Sequence, residues 1–268
     1  MPDRYRYDAA CRSPSAGLHA ASAAVKPRRI FSEESGGEMS GTTIDFTVHQ
    51  ASGASQQRLT IGRLVIAGWT GRDPIARDKH IAELEELGIQ RPASTPIYYE
   101  VAASRLTSAQ VVEASGEDSS GEVEFVLLRV DGRLYVGVGS DHTDRKVETY
   151  NITVSKQMCD KPIAPELWLF SDVSAHWDRI LLRAYATIGG KRELYQEGTL
   201  ADMLPPDDLI ARRFGAAGLP EGAAMFGGTF AAKGGIRPAE RFDYEISDPV
   251  LNRTIRHGYA VETLAIVG

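Results

Sequence analysis

From Thr43 onward, short runs of β-branched and aromatic residues alternate with breaks rich in Gly, Ser and Asp, a pattern that predicts many strands. TIDFTV and RLTIGRLVIAGW come first. TPIYYEV, QVVEA, EVEFVLLRV, RLYVGVGSD, LWLFSDV and WDRILLRAYATI fill the middle, and RFDYEI and YAVETLAIV follow near the end. Helical spacing is rarer. Asp73 is a good N-cap before Pro74 at the first helical position, and Ile81, Leu84 and Leu87 recur along one face before Gly88. Further helices are expected over 148–158 and from Pro206 to Phe214. The sum is a mainly β, α+β domain over residues 41–268, without internal repeats. Residues 1–40 are rich in Ala, Ser, Arg and Gly and lack either period, so they read as a disordered N-terminal extension, with Met39 an alternative native start.

Charge narrows the choice of partners. A formal net charge of -6 leaves no broad basic surface for nucleic acid or an anionic membrane, and a small-molecule substrate is expected. The two cysteines, Cys11 and Cys159, build neither a disulfide framework nor a thiolate zinc site. No apolar run approaches the roughly 20 residues that span a bilayer. The first residues also lack the apolar stretch of a secretory signal, so a cytoplasmic protein is the expectation.

Candidate chemistry comes from the register of one hairpin. Alternation in EVEFVLLRV puts Glu122, Glu124, Val126 and Leu128 on one face and Val123, Phe125 and Leu127 on the other, as in a strand buried on both sides. Asp131-Gly132 then signals a two-residue turn before RLYVGVGSD. Counting outward from that turn pairs Val130 with Arg133, Glu124 with Gly139 and Glu122 with Asp141. Three carboxylates then share a face, although like charges directly opposed, with β-carbons about 4.5–5.5 Å apart, are destabilising. A divalent cation would offset the repulsion: oxygen-only ligands suit Mg, Mn or Ca, and no Cys or His cluster points to zinc. Gly139 is expected to leave open space beside Glu124. The competing reading is a Glu-x-Glu that simply begins a strand at its solvated end. His142 points to the opposite face by alternation and is expected to serve packing.

SGEVEFVLL and VGSDHTDRKVE resemble the Glu-x-Glu strand and the Asp-x-Thr-x-Arg motif of the fumarylacetoacetate hydrolase superfamily. GRDPIARDKHIAEL is similar to that family's lid helix, ITVSKQMCDKPIAP to its lysine segment, and FGGTFAAKGG to its Thr-Gly-Thr-Pro loop. The resemblance implies a β-roll with flanking helices, a homodimer, and Mg or Mn on Glu122, Glu124 and Asp141. It also implies a water-activating pair in His80 and Glu83, an active-site lysine in Lys156, and substrate contacts from Arg145 and Thr229. Read from the residues alone, His80 could be a solvated helix residue, Lys156 a surface lysine, Arg145 a structural ion-pair partner and Thr229 part of a bulged turn.

The implied activity is hydrolytic cleavage of a carbon-carbon bond in a small 2-oxo or β-diketo acid through a metal-bound enolate. The alternatives are a lyase, either decarboxylase or sugar-acid dehydratase, and a metal-dependent oxo-acid binding protein without turnover. Three features depart from the family. The connection between the metal-bearing strands is a tight hairpin, IYYEVAAS lacks the lysine found in many members, and Phe230 replaces a proline. The resemblance is therefore to a divergent branch.

Overall fold

The alternating runs form two principal sheets, beside two short two-stranded ones, in the computed structural model, which describes residues 41–51, 53–86 and 91–267. The expected N-terminal extension over 1–40 lies outside the described residues, as do Leu87 and Gly88. The principal strands are β1 (Thr42–Gln50), β2 (Gly53–Ile61), β3 (Arg63–Gly68), β4 (Ile97–Val101), β5 (Val111–Ser115), β6 (Val123–Val130) and β7 (Arg133–Ser140). Beyond them come β8 (Glu166–Leu169), β9 (Leu181–Ile188), β10 (Lys191–Thr199), β11 (Ala223–Phe226), β12 (Arg241–Asp248) and β13 (Arg253–Leu264). The helices are α1 (Pro74–Glu86), α2 (Arg145–Glu148), α3 (Ile152–Met158), α4 (Phe170–Val173) and α5 (Pro206–Phe214).

An eight-stranded sheet runs β2-β1-β8-β7-β6-β11-β3-β4 and curls into a half-barrel, and a five-stranded sheet runs β10-β9-β12-β13-β5. Most neighbours are antiparallel, whereas β1 with β8, β11 with β3 and β13 with β5 are parallel. Strand β6 lies inside the large sheet, which explains why both of its faces are apolar. Val123, Phe125 and Leu127 enter one core with Leu182, Tyr244 and Ile246 of the second sheet, while Val126, Leu128 and Val130 enter a second core with Phe46, Ile66 and Phe226. Each large side chain buried this way contributes roughly 1.5–3 kcal/mol. The polar end of the Val126 face is where Glu124 and Glu122 stand.

Asp131 and Gly132 both have left-handed backbones, φ 53° and 70°, which is the geometry of a turn whose twist matches the strands it joins. The register that follows pairs Val130 with Arg133 and Glu124 with Gly139. Asp73 caps α1 by accepting from Ile75 N at 2.8 Å.

Four elements differ from expectation, and in WDRILLRAYATI the first three residues close a 3-10 helix over Ser174–Arg179 before the strand begins at Leu181. LWLFSDV is a strand only to Leu169. Phe170 and Val173 then fall at helical spacing on the first core, and α4 replaces the strand. The helix expected over 148–158 starts only at Ile152, as α3, because Asn151 adopts an extended backbone and its side chain caps the helix by accepting from Val154 N at 2.9 Å. Strand β10 is additional. The left-handed glycines Gly189 and Gly190 turn β9 back onto it.

Candidate functional site

Past Val123 the β6–β7 ladder continues through one more backbone bond, from Asp141 N to Glu122 O at 2.9 Å. Glu122, Glu124 and Asp141 each present an oxygen within 4.8 Å of the others, and they face the cleft as a group. Asp141 is fully buried and Glu124 nearly so, which removes the competing reading of a solvated strand end. Gly139, expected to leave open space beside Glu124, does not. A β-carbon there would meet the Phe226 ring and the Pro162 carbonyl at 2.7 Å, so the glycine exists to let those groups close in.

Cations crowd the acids from the other side. Lys156, on the face of α3 turned to the sheet, is buried and places Nζ 2.5 Å from Asp141 Oδ2 and 3.8 Å from Glu122 Oε2. It is therefore not a surface lysine. Arg145 is held on three sides: its Nε donates to Ser120 Oγ at 2.7 Å, one terminal nitrogen to Glu148 at 2.9 Å, and the other lies 3.4 Å from Glu122 Oε1. The structural ion-pair reading of Arg145 describes these contacts. Lys161 carries no earlier expectation. Wholly buried, it puts Nζ 3.1 Å from Asp141 Oδ1 and donates to the His142 carbonyl at 2.5 Å.

These neighbours set the proton affinities. Burial and the adjacent Asp141 charge push the Glu124 carboxyl well above the ordinary carboxylate value. Burial acts on Asp141 in the same sense, but Lys156 and Lys161 outweigh it and hold Asp141 ionised. Burial works against the Lys156 ammonium, and the surrounding carboxylates overcome it and raise its pKa. His142, on the other side of the strand, is neutral: burial and the nearby Lys161 lower it to about 3, and its Nδ1 lies 2.8 Å from the Tyr259 hydroxyl.

The far wall of the cleft is a glycine-rich loop. Gly227 passes against the Phe125 ring, and the left-handed Gly228 (φ 108°) donates its N–H to Glu124 Oε2 at 2.8 Å. Thr229 follows. Its hydroxyl accepts from Gln196 Nε2 at 2.8 Å, and Gln196 also donates to the Phe230 carbonyl at 2.6 Å while accepting from Val123 N. Gln196 thereby ties the loop to β6, leaving the Thr229 proton free to donate. The cleft has a volume of about 560 Å³. Among the residues expected at the site, Glu122, Glu124, Asp141, Arg145, Lys156 and Thr229 all line it. The backbones of His80 and Glu83 lie on α1, but their side chains are outside the described residues.

The family described as a protein of unknown function, DUF2848, matches residues 67–259, a span that holds every one of these groups. The chain belongs to DUF2848. No curated protein matches the sequence. Among solved structures, the DUF2848 chain is similar to Cg1458, with 16% identity and a TM-score of 0.54 over 76% of this chain and 77% of that one. It is also similar to yeast ynq8, a fumarylacetoacetate hydrolase family protein, with 17% identity and a TM-score of 0.53 over 76% and 94%. A third is 2-keto-3-deoxy-D-arabinonate dehydratase complexed with magnesium and 2,5-dioxopentanoate, at 13% identity and a TM-score of 0.54 over 79% and 77%. The fold of the DUF2848 chain is that of fumarylacetoacetate hydrolase family proteins.

The residues of the DUF2848 site fit a hard divalent ion. They offer three carboxylates, each with lone pairs to spare beyond its protein partners, and burial together with the Asp141 charge raises the proton affinity of Glu124, a cost that a cation would offset. Lys161 and Gln196 escaped the sequence reading for different reasons. Lys161 lies in an irregular stretch where no period tells inside from outside, whereas Gly189-Gly190 between two strand-like runs is a hairpin signal that would have led to Gln196.

Proposed function

We propose that this protein is a divalent-metal-dependent enzyme that hydrolyses a carbon-carbon bond in a 2-oxo or β-diketo acid. The observation that carries this reading is the convergence of Glu122, Glu124 and Asp141 on one cleft, with the Lys156 ammonium touching the same carboxylate group. Similarity of fold to a dehydratase complexed with magnesium and a dioxo acid supports it. An ion on the three carboxylates would supply Lewis-acid polarisation of the substrate's oxo and carboxylate oxygens.

The chain's own groups do the rest. Lys156, whose proton is secured by its carboxylate neighbours, offsets negative charge that develops on the substrate oxygen. Thr229 donates to the substrate carboxylate, with Gln196 fixing the hydroxyl from behind. Arg145 orients Glu122 and, through Ser120 and Glu148, keeps the acids in register. His80 and Glu83, three residues apart on α1, form the general-base pair that takes a proton from water. The small-molecule substrate, a homodimer and a cytoplasmic setting complete the reading.

The test is turnover of a panel of 2-oxo and β-diketo acids by protein stripped with chelator and reloaded with Mg or Mn, run in ¹⁸O-labelled water. Metal-dependent cleavage with label in one released acid is expected. Activity indifferent to chelator would overturn the metal reading. A second reading, a lyase on the same site, is favoured by the dehydratase among the similar structures. It predicts loss of water or carbon dioxide and no label in a carboxylate product.

A further inference from the structure

The carboxylates and their cations are a minority of the groups that line the cleft, and the rest ask for a different chemistry. A cleft of about 560 Å³ lies in the range that takes ligands well above the size of a five-carbon oxo acid. Most of that space is bounded by carbon. Trp69, Tyr195, Phe230 and Ile236 line it, and the nearby cation Arg77 is paired with Asp78 at 3.0 Å.

These apolar groups are held in place. Trp69 has a left-handed backbone, φ 59°, a conformation that bulky residues adopt only when the surroundings impose it, and its side chain is hydrogen-bonded to Tyr99. The Phe230 ring rests on Gly198, where a β-carbon would come within 2.4 Å of it, and its carbonyl is fixed by Gln196. Tyr195 has its hydroxyl engaged by Arg237 N at 3.0 Å. Ile236 is 54% exposed, an apolar side chain standing at the mouth of a cleft that begins with carboxylates.

We propose that Trp69, Tyr195, Phe230 and Ile236 form a subsite for a neutral apolar substituent, aryl in size, on the carbon chain of the oxo acid. This rests on the oxo-acid reading above and adds the substrate class to it. A flat ring buries area against the Trp69 and Phe230 faces, whereas a polyhydroxylated chain would leave its hydroxyls facing carbon.

The pair 2,4-dioxopentanoate and 4-phenyl-2,4-dioxobutanoate differs only by methyl for phenyl. Their dissociation constants are measured by calorimetry on the full chain carrying His80→Ala and Glu83→Ala, so that neither acid turns over, with Mg in excess and again with chelator. Phenyl is expected to bind at least tenfold tighter in Mg, and the phenyl-to-methyl ratio should fall toward one in Phe230→Ala and in Ile236→Ser. The second substitution lies at the surface and leaves folding intact. Equal metal-dependent binding of both acids overturns the subsite and leaves the oxo-acid reading standing. A tenfold ratio that survives chelator keeps the subsite and overturns the metal reading. Absence of binding by either acid overturns both.

Discussion

Replacing Glu124 by Gln separates what the carboxylate costs the fold from what it does for the ion. Two unit charges 4.8 Å apart at an effective dielectric near 20 repel by about 3.5 kcal/mol, and Glu124 faces Asp141 and Glu122 within that distance. Burial and this repulsion raise the Glu124 pKa well above the ordinary carboxylate value and so favour its protonated form in the metal-free protein. Glutamine mimics that protonated form, and its carbonyl can still accept from Gly228 N. Metal-free stability below about pH 4.5, where the carboxyl is protonated in both folded and unfolded chains, is therefore expected to change by less than about 1 kcal/mol.

The pH dependence has a definite sign. A carboxyl whose folded pKa is raised contributes stability that is full below its unfolded value, 4.5, and is lost as pH rises through the folded value. Metal-free Glu124→Gln should thus lose less stability than the wild type on going alkaline. With ion at a hundred times its dissociation constant the wild type gains about 2.7 kcal/mol, or roughly 5–10 °C in Tm for a chain of this size. The variant should gain almost nothing. Differential scanning calorimetry with chelator and with Mg or Mn reads both quantities. An unchanged metal-induced rise in the variant, or a metal-free loss above about 2 kcal/mol, would refute the reasoning.

Gly228→Ala should destabilise the protein by at least about 2 kcal/mol, because its φ of 108° is strained for alanine and the new β-carbon would lie 1.8 Å from Thr70 Oγ1; urea unfolding measures it, and a neutral result would mean the loop relaxes freely. Lys161→Met removes one of two cations from a buried carboxylate and is expected to cost about 3 kcal/mol, with an unfolding midpoint near wild type counting against the pairing. Metal binding should tighten as pH rises and release protons, since the ion competes with protons for Glu124, whose proton affinity burial raises. Calorimetry in buffers of different ionisation enthalpy reads those protons, and a pH-independent affinity without release would take Glu124 out of the ligand set.

The sheet framework was legible because a strand buried on both faces, such as β6, has a distinctive composition and because a two-residue turn leaves a single register. Asp131-Gly132 alone placed Glu124 opposite Gly139. The local pattern failed where a side chain, rather than a period, decides the backbone. Asn151 capping α3 set the helix start at Ile152, and Phe170 and Val173 turned a strand-like run into α4. Around the acids, the sequence could say which residues shared a face but not what filled the space between them. Phe226 packs into the room expected at Gly139, and Lys161 reaches Asp141 from a segment with no readable pattern.

That filled space at Gly139 governs traffic. With the Phe226 ring and the Pro162 carbonyl closing one side of the ladder, and Lys161 wholly buried behind Asp141, the three acids open toward the cleft. On the proposed reading, ion and organic acid would share that doorway, with the ion expected to arrive first. A bound acid would act as a stopper, and chelator should strip the ion more slowly from the ternary complex than from the binary one.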